Sequence, residues 1–278
     1  MCKMEKGVLY NSNSFYKKHQ IIDSGNTNCL NEMILPCNYN LFLKSRFSFA
    51  DICKLESGGN IVYFSDKLEQ VAEKNKKNYL YNVNQYAKNL INKILLMDVE
   101  DIIEICIEDN YLTINTGDIP QFSSFDDGTF NLIRILHRCG DFGPSFYDLG
   151  MYLTGTGKRK GAYIKYGENH SKLASLMDLV YIDYSKSPSK VFLTKLGKEM
   201  YRLEKNQFQN IISKLSIRIP IITKLLSEAS IRQVFIKEEL LLYLSKSTAI
   251  RRKSNIKALL RAIRSCSKKD TSLFENIY

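Results

Sequence analysis

The sequence has no long apolar run, few histidines and no paired cysteines. No stretch of about eighteen apolar residues occurs, and no apolar run follows Met1-Cys2-Lys3-Met4-Glu5-Lys6, so we expect neither a membrane span nor a secretory signal. The chain has seven cysteines without a Cys-x-x-Cys pair, and it has three histidines. We therefore expect a cytoplasmic protein with reduced, mostly buried thiols, no metal site and no cofactor.

A recognisable nuclease motif is also missing. Acidic residues cluster between Asp98 and Asp109. Nucleases of the PD-(D/E)xK type need such carboxylates to hold Mg²⁺, together with a lysine that serves the attacking water. No lysine completes that motif after Glu104 or Glu108. We interpret the cluster as a solvated acidic edge and assign no catalytic residue.

Positive charge is concentrated in the second half of the chain, which has a formal net charge of +11. Residues 1–150 hold 15 lysines and arginines against 19 aspartates and glutamates, whereas residues 151–278 hold 25 against 10. A polyanion is the simplest partner, because each cation that meets a phosphate releases condensed counterions. A merely solvated basic face is the alternative, and the acidic first half would face away from a phosphate backbone.

The first part of the chain mixes helical and extended patterns. Apolar spacing predicts a helix from Ser65 and a second helix over 83–95, and short strands are predicted within 40–49. Alternation of Ile103, Ile105 and Ile107, followed by a turn at Asp109-Asn110, predicts a β-hairpin that returns through Ile114. The Gly- and Asp-rich residues 117–128 predict a domain boundary. Residues 1–128 would thus be a small α+β domain of unassigned role.

Residues 129–204 predict a winged-helix module. Three helices are expected over 129–138, ending at Gly140, over 145–153 and over 162–177. Strands over 179–183 and 191–193 would form a hairpin, and Thr194 would cap a further helix. Helix, helix, helix, hairpin is the order of winged-helix domains.

Residues 205–278 predict a second helix-turn-helix module. A long helical region over 208–226 would break near Pro220, and a helix over 237–244 would follow it. A serine-rich turn then leads to a basic helix capped by Ser247 or Thr248, whose amides could also hold a phosphate. The expected fold is therefore α+β and mainly helical, with a small α+β domain before tandem winged-helix/helix-turn-helix modules.

Candidate nucleic-acid contacts lie on the two basic helices and the hairpin. Adjacent helical residues point about 100° apart, so one of Arg251 and Arg252 would reach a guanine edge and the other a phosphate. Asn169 and Asn255 are further candidates for base edges, and His170 would be a polar surface residue. The full set is Lys158, Arg159, Lys160, Lys165, Tyr166, Asn169, His170, Lys172, Lys190, Ser247, Thr248, Arg251, Arg252, Lys253, Asn255 and Lys257.

Three segments carry a resemblance to a known group. They are Lys160-Gly161-Ala162-Tyr163 through Lys172-Leu173-Ala174 to Leu179-Val180, then Leu193-Thr194-x-x-Gly197, then Ser247-Thr248-Ala249-Ile250-Arg251-Arg252. Over about half of the chain, the sequence resembles the C-terminal tandem helix-turn-helix region of bacterial type II restriction endonucleases and related phage-defence proteins. The resemblance implies recognition of target DNA within a restriction-modification or phage-defence system. It also implies a nuclease, methyltransferase or helicase as partner protein.

The preferred hypothesis is a protein that recognises duplex DNA. A restriction endonuclease with an unrecognised Mg²⁺-dependent centre would instead cut plasmid DNA. A plasmid replication initiator would bind repeated origin sequences. A scaffold that holds a partner protein with its winged helices would show no salt-sensitive affinity for DNA.

Overall fold

The computed structural model describes residues 42–43, 87–107, 113–268 and 272–278. Phe42 and Leu43 are helical, so the strand predicted across them is wrong. The predicted strand at 47–49 and the predicted helix from Ser65 lie outside the described residues. The described residues are mainly helical with one two-stranded sheet, which confirms the mainly helical class.

The region before residue 108 contributes helical residues 87–96 (α1) and the helix Val99–Ile107 (α2). The β-hairpin predicted from Ile103 is therefore wrong. Its first strand was inferred from isoleucines that alternate, but the residues buried here are Val99, Ile102, Ile103 and Cys106. That spacing of three, one and three residues marks one face of a helix, and Ile105 and Ile107 are only half-buried.

The next part of the chain follows the predicted order of three helices and a hairpin. Gly140 ends the first of these helices at a φ of +56°, and Ser145 caps the next through its side chain. The two strands pair antiparallel, from Val180 opposite Leu193 to Asp183 opposite Lys190. The elements are α3 (Asp126–Cys139), α4 (Phe146–Thr154), α5 (Lys160–Leu176), β1 (Val180–Asp183), β2 (Lys190–Leu193) and α6 (Lys195–Met200).

Thr194 joins the hairpin to α6 as predicted. Its hydroxyl accepts a hydrogen bond from the Gly197 amide at 3.0 Å and donates one to the Asp178 carbonyl at 2.7 Å. The same side chain thus caps a helix and holds the end of the hairpin against the turn after α5. The Leu-Thr-x-x-Gly sequence accordingly sets a local geometry.

The C-terminal part is built from four further helices and short 3₁₀ turns. The predicted break near Pro220 is confirmed, because a 3₁₀ turn (Ser216–Arg218) precedes a helix that has Pro220 in its first turn. The last long helix starts earlier than expected: Ser245 is its N-cap, so the predicted cap at Ser247 or Thr248 is wrong. The helices are α7 (Lys205–Leu215), α8 (Pro220–Ala229), α9 (Ile236–Leu241) and α10 (Lys246–Cys266).

The buried core of the described residues runs across position 128. Residues of α1 and α2 belong to the same apolar cluster as α8 and α10. The buried Lys214 of α7 donates from Nζ to the carbonyls of Ile94 and Leu95 at 2.9 and 3.0 Å, where α1 ends. The division into residues 1–128, 129–204 and 205–278 stays a prediction. No helix among the described residues is long and apolar enough to cross a bilayer.

Helices α4 and α5 approach each other at two glycines. A Cβ added to Gly150 would lie 1.9 Å from the Tyr163 carbonyl oxygen, and one added to Gly167 would lie 2.1 Å from that of Phe146. Each glycine therefore lets the backbone of one helix touch the backbone of the other. This contact positions α5, which carries half of the candidate site.

Candidate nucleic-acid interface

The outward face of α5 carries three polar candidates one turn apart. Lys165, Asn169 and Lys172 stand at i, i+4 and i+7 and so project in similar directions. The two lysines are exposed and Asn169 is half-exposed. Lys172 is ion-paired with Glu168 at 2.5 Å, whereas Lys165 has no ion pair within the described residues.

Three consecutive cations precede and open α5. Lys158, Arg159 and Lys160 are exposed, and none has an ion pair with any residue that the structure describes. Lys158 is held in place, since its backbone N–H donates to the Tyr163 hydroxyl at 2.8 Å and its Nζ lies 5.1 Å from the centre of the Tyr166 ring. The side chain of the N-cap residue Arg159 makes no capping hydrogen bond, and its carbonyl accepts one from the Ala162 amide at 2.9 Å.

The outward face of α10 is also basic. Arg251 and Arg261 are exposed, Lys257 is half-exposed, and no ion pair joins any of them to another described residue. Helix α10 contains no aspartate or glutamate at all. Arg261 was missed by the sequence analysis. It lies four residues after the candidate Lys257, so the helical repeat could have found it.

Two candidates for base contacts on α10, half-exposed Arg252 and buried Asn255, instead bind the protein backbone. Arg252 donates from Nη1 to the carbonyls of Thr116 at 2.9 Å and Ile119 at 2.5 Å. Asn255 is 8% exposed and donates to the Phe122 carbonyl at 2.5 Å. Burial, and secondarily the charge of Arg251, lower the pKa of Arg252. Both side chains bind protein backbone and are not available to a base edge in this conformation.

His170 is likewise buried, although it was predicted at the surface. It is 1% exposed, with the Ser123 hydroxyl 3.1 Å from its Nε2 and Gly128 packed directly against its ring. Burial lowers the pKa of His170 to about 4, so the ring is neutral at physiological pH. A neutral, enclosed imidazole cannot contact phosphate, and we assign His170 to the interior of the fold.

The remaining candidates lie near the two basic helices. Ser247 is exposed, and Tyr166, Thr248 and Lys253 are half-exposed. Lys190 is half-buried at the start of β2 opposite Asp183, which makes it a weak candidate. Two exposed residues of the hairpin turn, Tyr184 and Lys186, and the first residue of α10, Lys246, were not predicted.

A segment of residues 113–125, called the bridging segment below, lies between the two basic helices. Its backbone accepts hydrogen bonds from Arg252 and Asn255 of α10, and its Ser123 contacts His170 of α5. Ile119, Phe122 and Phe125 of the segment are buried in the core. Helices α5 and α10 are thus packed against one shared piece of chain, with their basic faces turned outward.

The acidic run is partly used inside the fold. Asp98 pairs with Lys268 at 2.8 Å, and Glu100 accepts a hydrogen bond from Ser267, both just after α10. Asp101 and Glu104 are exposed. Within the described ranges, no three His, Cys, Asp or Glu side chains converge as a metal site would require. Two of these carboxylates therefore hold the end of α10 against α2.

The first turns of the helices differ in how their charge is balanced. Helix α7 begins with Lys205, whose Nζ lies 2.8 Å from Asp127. Helices α5 and α10 begin with Lys160 and Lys246, and neither lysine is ion-paired to a described residue. Because a helix N-terminus already carries partial positive charge, these lysines add repulsion that an anion would relieve.

No known protein family, curated protein or solved structure matches this chain. The described residues show two basic helices, α5 and α10, that contact one shared segment of chain.

Proposed function

We propose that this protein binds duplex DNA through the outward faces of α5 and α10. One observation carries the proposal: both helices present cations at and after their N-termini, and most of these cations, Lys172 and Arg264 excepted, have no countercharge in an ion pair with a described residue. A phosphate backbone supplies that countercharge at regular intervals along a groove wide enough to admit a helix.

The order of elements supports a finer interpretation. We interpret α3, α4 and α5 with the β1–β2 hairpin as a winged-helix unit, and α8, α9 and α10 as a second helix-turn-helix unit. In both, the third helix is the basic one, and this is the helix that enters the major groove in such domains. The resemblance to restriction and phage-defence proteins extends the proposal to target recognition in such a system.

The exposed side chains divide into two roles under this proposal. Lysines and arginines along the helices, including Lys160, Lys165 and Arg261, position the protein on phosphates. Asn169 on α5 and Arg251 on α10 are the candidates for base edges, because asparagine pairs with adenine and arginine with guanine. Both side chains point outward, unlike Arg252 and Asn255.

The proposal is tested by titrating a fluorescent duplex with the full chain across a salt series. If about six phosphates are contacted, affinity should fall by about 10³-fold or more between about 50 and 200 mM salt. An unlabelled single strand should compete less well than unlabelled duplex. Salt-insensitive binding, or no binding, would overturn the proposal.

A matched pair of first-turn lysines locates the interface. Lys160→Gln removes an unpaired lysine at the start of α5, and Lys205→Gln removes the Asp127-paired lysine at the start of α7. We expect the salt slope to fall by about one in the first variant and to stay unchanged in the second. Equal effects of the two substitutions would show that charge alone, and not α5, determines the affinity.

A further inference from the structure

We propose that the bridging segment locks α5 and α10 into one DNA-binding surface, with Arg252 and Asn255 as positioning residues that never touch the DNA. This inference rests on the proposed function and specifies how its two halves act together. It assigns a role to two polar side chains of α10 that bind protein backbone, half-exposed Arg252 and buried Asn255.

On the α10 side, three hydrogen bonds hold the segment. Arg252 spans the carbonyls of Thr116 and Ile119, and Asn255 binds the carbonyl of Phe122. Arg252 and Asn255 stand three residues apart, so they share one face of α10. Because the later residue of α10 binds the later residue of the segment, the hydrogen bonds fix both the position and the direction of the segment relative to the helix.

The contact with α5 is made by the residue that directly follows Phe122 in the sequence. Ser123 comes immediately after Phe122, and its hydroxyl lies 3.1 Å from Nε2 of His170. Gly128, in the first turn of α3, lies against the same imidazole so closely that a Cβ there would be 2.3 Å from Cε1. Two consecutive residues thus reach α10 and α5, and a shift of one helix is transmitted to the other.

A fixed spacing matters because the two basic faces act as a linked pair. Once one face is on the duplex, the second binds intramolecularly, but only if its orientation allows both to engage together. The number of phosphates contacted at the same time sets the slope of affinity against salt. Loss of the contacts between the bridging segment and either helix should therefore lower the slope, even when no charged residue is removed.

Asn255→Ala provides the test, because asparagine is neutral and its loss removes no ion pair with DNA. We expect the salt slope of the full chain on duplex to fall by more than one relative to the unchanged protein. The control is Gln207→Ala, which changes an exposed, neutral residue of α7, outside both basic helices, and should leave the slope unchanged. Circular dichroism at each salt concentration gives the folded fraction, so that a change in slope caused by partial unfolding is recognised and corrected.

Ser123→Ala is the second variant, in case circular dichroism shows that Asn255→Ala does not fold. It removes the hydroxyl contact with His170 from an exposed position and should lower the slope in the same direction. Unchanged slopes in the folded variants, alongside salt-sensitive binding by the unchanged protein, would overturn this inference and leave the proposed function standing. Absence of salt-sensitive binding by the unchanged protein would overturn both.

Discussion

Helices α5 and α10 present similar basic faces but are held in the fold by different means. Helix α5 touches α4 backbone to backbone, at Gly150 and Gly167. Helix α10 is anchored by side chains: fully buried Ile256, Leu259 and Ile263 fill the core. The position of α5 therefore depends on two glycines in addition to buried side chains such as Leu173, whereas α10, which has no glycine, depends on side-chain packing.

The two outward faces differ as well. Helix α5 includes Glu168, which is paired with Lys172, whereas α10 contains no acidic residue. Glu168 thus neutralises part of the positive charge on α5, whereas no residue of α10 neutralises charge on α10. We infer that α10 supplies more of the electrostatic attraction to DNA than α5 does.

The largest expected effect is on the buried side of α10. Leu259→Ala leaves a cavity at a fully buried position and should lower the free energy of unfolding by roughly 2–5 kcal/mol. Leu259→Met, which nearly conserves volume, should cost less than about 1.5 kcal/mol. Urea denaturation followed by circular dichroism measures both. A loss below about 1 kcal/mol for the alanine variant would show that side-chain volume does not anchor α10.

The matching test on α5 adds a methyl group. Gly167→Ala would place Cβ 2.1 Å from the Phe146 carbonyl oxygen, so α4 and α5 must separate, and we expect a loss of about 3 kcal/mol. Gly161→Ala is the control on the same helix, because nothing lies within 4 Å of the added atom. That variant should be unchanged, or stabilised by less than about 1 kcal/mol. Similar stabilities for the two variants would contradict the backbone contact.

His170 should make stability depend on pH. Its pKa is about 4 in the folded chain, because of burial, and about 6.5 when unfolded. Between these values the unfolded chain takes up a proton that the folded chain excludes. The contribution of neutral His170 to the free energy of unfolding is therefore fully present above about pH 6.5. It is lost as the pH drops towards 4, and the loss is roughly 3 kcal/mol at most.

The measurement is urea denaturation across that pH range for two histidine variants. His170→Gln should lose much of the dependence, whereas the exposed His137→Gln should keep it. If the two variants and the unchanged protein show the same pH dependence, carboxylates account for it and His170 does not.

The sequence predicted the helices and the hairpin after residue 125 because their signals are local. Gly140, Ser145, Thr194 and Pro220 each act within a few residues, and apolar periodicity supplies the rest. The error over Val99–Ile107 has a local cause too. A short apolar run fits period two as well as period 3.6, and burial of one helical face decided between them.

The candidate site was predicted only in part, because the direction of a polar side chain is set by distant residues. Helix geometry predicts that Arg251 and Arg252 point about 100° apart, and in the structure Arg251 is exposed whereas Arg252 binds the backbone of the bridging segment. It could not show which, since the partners of Arg252 and Asn255 lie 133 residues away. His170 was misplaced for the same reason, since Ser123 and Gly128 enclose it.

The smallest expected effect concerns the ion pair between Glu168 and Lys172 on α5. Glu168→Gln removes the partner of Lys172 and leaves that lysine free to meet a phosphate. Because the pair is exposed, stability should change by less than about 0.5 kcal/mol. Affinity for duplex DNA should rise severalfold, and the salt slope should steepen by up to about one.

Glu104→Gln on α2 is the matched control for Glu168→Gln, since it removes an exposed glutamate that belongs to neither basic helix. It should leave both the affinity and the slope nearly unchanged. The same anisotropy titration across a salt series measures the two variants side by side. If Glu168→Gln also changes neither quantity, the outward face of α5 does not meet the DNA, and α10 alone accounts for binding. If both variants bind more tightly by the same factor, overall charge rather than the face of α5 determines the affinity.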